Sequence, residues 1–120
     1  MNEASVQSIV RLEAARRGWK LFRNNVGVLL DAKGRPVRYG LANDSKAVNQ
    51  NVKSADLIGI RPVVVTPDMV GQIIGQFVSI ECKHDGWRPS MTDEHEQAQA
   101  RWAELVLLAG GYAKFSTGEI

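Results

Sequence analysis

Two helical patterns bracket a block of short apolar runs, and that order restricts the fold more than any single motif. Val6, Ile9, Val10 and Leu12 recur near helical spacing, Ala14 and Ala15 favour helix, and Gly18 supplies a stop. They predict a helix over 3–17. A second helix is predicted over 92–109, stopped by Gly110-Gly111. Between them lie strand candidates at 19–22, 26–30, 37–39, 57–60 and 73–83, with 63–65 a candidate extension of the fourth. Gly75 is a point where the fifth would bend. Turns are read at 31–34 and 86–90, 66–68 reads as a turn or a helix start, and the polar, poorly periodic stretch 43–53 reads as a loop. A last strand is predicted at 112–115. Helix, several strands, helix, strand implies an α/β domain, a mixed β-sheet flanked by α-helices. With 120 residues, the expectation is one domain, 1–120, with one hydrophobic core.

A lone cysteine, Cys82, excludes an intramolecular disulfide framework, and one Cys with two His cannot close a four-ligand zinc site by themselves. No apolar run approaches the ~20 residues of a membrane helix, and the N-terminus lacks the pattern of a signal peptide. The expected setting is a reducing cytoplasm, without membrane attachment. The formal charge of +2 is a cancellation: from Arg11 to Lys53 ten basic residues face three acidic ones, giving +7, and the rest of the chain carries −5.

The most informative stretch is Ser79-Ile80-Glu81-Cys82-Lys83. Side chains alternate along a strand, so Glu81 and Lys83 share one face. Ile80 and Cys82 are expected to point into the core, which reads Cys82 as a packing residue and not a nucleophile. One carboxylate and one ammonium thus stand side by side, either as an ion pair at a strand end or as a site. Asp56 opens the apolar run Leu57-Ile58-Gly59-Ile60, where a helix cap or a metal ligand are the main roles open to an acid. Mg²⁺ is held by one or two carboxylates with waters and phosphate oxygens. It polarises a phosphoryl oxygen and acidifies a bound water, which suits phosphodiester hydrolysis.

Asp56 … Glu81-x-Lys83 resembles the PD-(D/E)XK nuclease superfamily, and within it the virus-type replication-repair nucleases, VRR-NUC, in their small stand-alone phage form. The segments that carry the resemblance are Glu3 to Arg17-Gly18, Arg23-Asn24-Asn25-x-Gly27, Arg38-Tyr39-Gly40-Leu41, Ser54 to Gly59, Glu81-Cys82-Lys83 with Gly86-Trp87, and Gln99 with Trp102 and Gly110-Gly111. They span nearly the whole chain. The literal Pro-Asp pair is Pro67-Asp68, but Asp68 lies in a turn-like segment and Asp56 is preferred. Ala55 stands where the family has Pro. Gln97 is the alternative to Gln99, which the spacing to Gly110 favours.

The resemblance implies a restriction-endonuclease-like core in αβββαβ order. It implies Mg²⁺- or Mn²⁺-dependent endonucleolytic cleavage of DNA, branched or Holliday-junction-like, by a homodimer in phage replication, recombination or repair. Asp56 and Glu81 would hold the metal with the backbone carbonyl of Cys82, and Glu3 would complete the site. Lys83 would position the attacking water and Gln99 would support it. Arg16, Arg17, Arg23, Lys33, Arg35 and Arg38 are expected on DNA phosphates, with Arg23 and Arg38 foremost. The alternatives are a monomeric nicking or flap nuclease and a non-catalytic DNA-binding module that keeps the fold. His95-Glu96-Gln97-Ala98-Gln99 lacks the second His of a zinc-protease helix and is set aside. His84 and His95 read as solvated, Trp102 and Leu105 as core, and Trp87 as a residue that could border the site.

Overall fold

The structure, a computed structural model, describes residues 2–120. They divide between Gly59 and Ile60 into two compact units, which are described in turn. The fold is mixed α/β, with three helices and six strands among the described residues.

In the first unit, helix α1 spans Glu3–Arg16. The Asn2 side chain accepts from Ser5 N at its start, satisfying one of the free amides of the first turn. At its end Gly18 takes φ +77°, Gly18 N donates to Ala15 O and Trp19 N to Ala14 O. Those paired bonds are the usual glycine termination. Ala14 is its one buried residue; Val6, Ile9, Val10 and Leu12 remain 43–55% exposed.

Strand β1 (Lys20–Arg23) pairs with β4 (Leu57–Ile60), and β2 (Gly27–Leu30) pairs antiparallel with β3 (Pro36–Tyr39). The turn between β2 and β3 is organised by Asp31. Its Oδ1 accepts from Lys33 N and Arg35 N, and its Oδ2 accepts from Arg35 Nε. The Arg35 amide holds the Asp31 carboxyl below its usual pKa, with Arg35's guanidinium and the Lys33 amide adding to it.

The stretch 43–53 is not all loop, as its polarity suggested. Lys46–Asn51 forms a short helix, α2, started by Ser45 Oγ accepting from Val48 N. With only Ala47 and Val48 apolar, it carries no hydrophobic period to read; the cap defines it.

In the second unit, β5 (Val78–Cys82) and β6 (Tyr112–Ser116) are parallel, in register from Val78↔Tyr112 to Cys82↔Ser116. Parallel neighbours need a long crossover. Helix α3 (Glu94–Leu108) supplies it and packs on both strands. Val106 is fully buried at that contact.

The predicted strand 73–83 is shorter than expected, because β6 offers partners for five residues only. Residues 72–77 are irregular and Ile73 is fully exposed. Residues 63–65 form no strand, and Pro67–Met69 is a 3₁₀ turn.

Three further expectations are corrected. The strands pair as three two-stranded sheets instead of one mixed sheet. Cys82 is exposed, since a two-stranded ribbon leaves the outer face of its last residue uncovered. Trp102 is 37% exposed; its ring meets Phe77 edge-on at 6.5 Å and its Nε1 donates to Ser79 Oγ, 2.8 Å away.

The tightest backbone approach is at Gly59. A Cβ there would lie 1.8 Å from the carbonyl oxygen of Lys20 and 2.8 Å from Leu21 Cα. Gly59→Ala must push β1 from β4 and is expected to lower stability by roughly 3 kcal/mol, the upper end for over-packing. A fall in the urea midpoint measures it.

Candidate functional site

Glu81 is the fourth residue of β5, and Lys83 follows the strand directly. Lys83 N donates to Ser116 O at 2.8 Å, which carries the pairing one residue past the ribbon. The side chains of Glu81 and Lys83 both reach the same residue of α3. Lys83 Nζ donates to Gln99 Oε1 at 2.7 Å, and Gln99 Nε2 donates to Glu81 Oε1 at 2.8 Å.

A primary amide has one acceptor end and one donor end. An ammonium can only donate and a carboxylate can only accept, so this amide has a single orientation that serves both. Glu81 and Lys83 form no direct ion pair among the described residues. The amide stands between them.

Lys83 is also held against aromatic rings. Its Nζ lies 5.9 Å from the Trp87 ring centroid and 5.7 Å from that of Phe115. The two rings stack at 5.2 Å and 19°. Trp87 is fixed in turn by Glu96, whose Oε2 accepts from Trp87 Nε1 at 3.1 Å and whose Oε1 accepts from Ser90 N. Glu96 and Gln99 are three residues apart and share one helix face. Gln97 faces elsewhere and donates to Ser90 O. The structure therefore places Gln99, not Gln97, at Glu81 and Lys83. His95 Nε2 lies 3.3 Å from Gln99 Nε2, one helical turn before it. Asp93 caps the helix by accepting from Glu96 N.

Asp56 and Glu3 belong to the first unit. Asp56 is exposed, directly before β4. Its carbonyl accepts from Asn24 N at 2.8 Å. The Asn24 side chain ties the approach to it: Nδ2 donates to Ser54 Oγ and to Ala55 O, each at 2.8 Å, and Oδ1 accepts from Leu41 N. Ser54 Oγ donates onward to Leu41 O. The backbone entering Asp56 is thus fixed, while its carboxylate caps no helix and accepts no hydrogen bond among the described residues.

Asp68 is differently occupied. Its Oδ1 accepts from Thr66 Oγ1 across the 3₁₀ turn. That hydroxyl is the main reason its carboxyl sits below the usual pKa. Glu3 is exposed in the first turn of α1.

Among the described residues no group of three or more His, Cys, Asp or Glu is placed to hold a metal ion. Glu81 nevertheless fits a hard cation in its chemistry. It is half-buried, one oxygen is fixed by Gln99, and the other accepts no hydrogen bond among the described residues.

The basic residues fall into two kinds. Arg16 and Arg17 pair with Glu13 at 3.7 and 3.0 Å, and Arg35 pairs with Asp31 at 2.9 Å. Such exposed pairs are weak and yield easily to a polyanion. Arg23 and Lys33 are exposed. Arg38 is half-buried and bonds to Asn43, not to an acid.

The sequence alone assigns no role to Asn24, Asn43, Glu96 and Phe115. For Glu96 the usable signal was its three-residue spacing from Gln99. A comparison with protein-family models, curated proteins and solved structures finds no match to this chain.

Asn24→Ala removes three side-chain hydrogen bonds and is expected to cost about 2 kcal/mol. Urea unfolding measures the loss, and amide exchange at Leu41 should accelerate with it.

Proposed function

We propose that this chain is a metal-dependent DNA endonuclease with a restriction-endonuclease-like active site, of the kind the VRR-NUC resemblance implies. The observation that supports it most is the Gln99 amide held between Lys83 and Glu81. An ion pair serving only stability would close directly. Here a neutral amide keeps the two charges apart, so each retains capacity for another partner.

Asp56 and Glu81 would hold Mg²⁺ or Mn²⁺, with the Cys82 carbonyl and with Glu3 as a further ligand. When bound, the cation would neutralise charge on the phosphoryl oxygen and acidify a water. Lys83 does the chain's own share of the chemistry. One of its three N–H donors is spent on Gln99. The others orient the attacking water and stabilise charge developing on the phosphate. Gln99 fixes Lys83 and Glu81 in one geometry. The stacked Trp87 and Phe115 rings limit where the ammonium can go. The +7 stretch from Arg11 to Lys53 would attract the DNA backbone. Branched DNA as substrate and a homodimer with two sites complete the proposal.

The test is single-turnover cleavage of a four-way junction, a flap and a linear duplex with Mg²⁺ or Mn²⁺. Asp56→Ala, Glu81→Ala and Lys83→Ala should each be slower by roughly 10²-fold or more. Asp68→Ala and Gln97→Ala should cut like the parent chain. Cleavage by Lys83→Ala at the parent rate contradicts the proposal. DNA binding without cleavage by the parent chain identifies a binding module instead.

A further inference from the structure

Arg38 and Lys53 line one cavity of about 290 Å³ in the first unit, together with Asn43, Asn49, Ser54 and the start of β2. No acidic residue lines it. Neither cation forms an ion pair among the described residues. Two positive charges on one concave surface repel each other, and a low-dielectric wall strengthens that repulsion. An anion between them removes it.

The guanidinium is held in place for such a role. Arg38 Nε donates to Asn43 O and Oδ1 at 3.1 and 3.2 Å, and Nη2 donates to Oδ1 at 2.8 Å. Asn43 is only 2% exposed. Its Nδ2 donates to Gly27 O and Tyr39 O, both at 2.8 Å, so its amide has one orientation. The residue before it, Ala42, takes φ 56°. A non-glycine side chain there costs about 1–2 kcal/mol, and the buried Asn43 contacts hold the loop in that conformation.

This arrangement fixes Arg38 through a neutral amide and leaves its full charge and its Nη1 donors uncommitted among the described residues. Lys53 follows the same logic: Nζ donates to Asn49 O and Oδ1 at 2.8 and 2.6 Å, leaving a third donor. Both differ from Arg16, Arg17 and Arg35, whose charges face carboxylates.

We infer that this cavity is an oxyanion site that seats one phosphate of a polynucleotide backbone. Lys53 precedes Asp56 by three residues, so their Cα atoms lie no more than about 11 Å apart. The seated phosphate is therefore a near neighbour of the one Asp56 would meet. That last placement rests on the nuclease reading; oxyanion binding does not.

The full chain in EDTA, at constant ionic strength, is titrated with inorganic phosphate, acetate and chloride. NMR follows Arg38 Nε–Hε and the Asn43 side-chain amide. Phosphate should give saturable shifts that acetate and chloride do not, and Lys53→Met should abolish them. Lys53 lies just past α2 and its side chain bonds only to Asn49 of that helix, so this variant keeps the parent's backbone amide spectrum.

Binding of labelled duplex DNA, also in EDTA, is then measured against salt. Lys53→Met should reduce the slope of log K on log salt by about 0.9, one phosphate contact. Arg38→Lys should weaken binding several-fold, since the fork is lost and the charge kept. Phosphate shifts no larger than those with chloride overturn the inference. Saturable phosphate binding with an unchanged DNA slope overturns the backbone role and identifies a site for free phosphate. Should the parent chain cleave no DNA with Mg²⁺ while both results hold, the nuclease reading falls and the seat stands.

Discussion

The Gln99 amide between Lys83 and Glu81 is the interaction on which the site depends. Two opposite charges two residues apart on a strand would otherwise neutralise each other. An amide dipole set between them bonds to both without cancelling either. Each bond to a charged partner is worth about 1.5–3 kcal/mol, so the carboxylate and the ammonium are held apart at little cost. This requires α3 to pass over the end of β5 in a fixed register. The parallel pairing of β5 and β6 requires a crossover, and α3 is that crossover. Secondary structure and site chemistry are set by the same connection.

The surroundings of Lys83 extend that logic. Trp87 and Phe115 form a stacked wall beside the ammonium. Trp87 reaches this position from a loop, and Glu96 ties that loop to α3 by accepting from both Trp87 and Ser90. Ring faces attract a cation without taking its protons. Lys83 is positioned with two of its three donors uncommitted among the described residues, as its proposed role needs. In the first unit, Asn24 and Asn43 play a comparable part. Both are neutral amides that fix backbone or guanidinium geometry while leaving nearby charge uncompensated.

Much of this was legible because it follows from local periodicity. Alternation along a strand put Glu81 and Lys83 on one face, and both do meet the same residue. Gly18 and Gly110-Gly111 marked the helix ends within two residues. The apolar run after Asp56 is β4. What was not legible depends on partners distant in sequence. Asn24 bonds to residues about thirty positions away, and an asparagine in a loop carries no mark of that. The apolar pattern over 73–83 predicts too long a strand, because the strand's length is set by β6 and not by its own hydrophobicity. Strand parity predicts a core position for Cys82, but parity names a face and not what covers it. Helix α2 leaves no periodic signal, because its cap and not a hydrophobic stripe defines it.

The central proposal is that Glu81 and Asp56 are ligands of one divalent cation that works with Lys83. Anomalous diffraction at the manganese edge, from crystals soaked in Mn²⁺, tests it most directly. The account predicts a peak within bonding distance of both the Asp56 and Glu81 carboxylates, and none at Asp68. Manganese at Asp68, or none at Glu81, would contradict it.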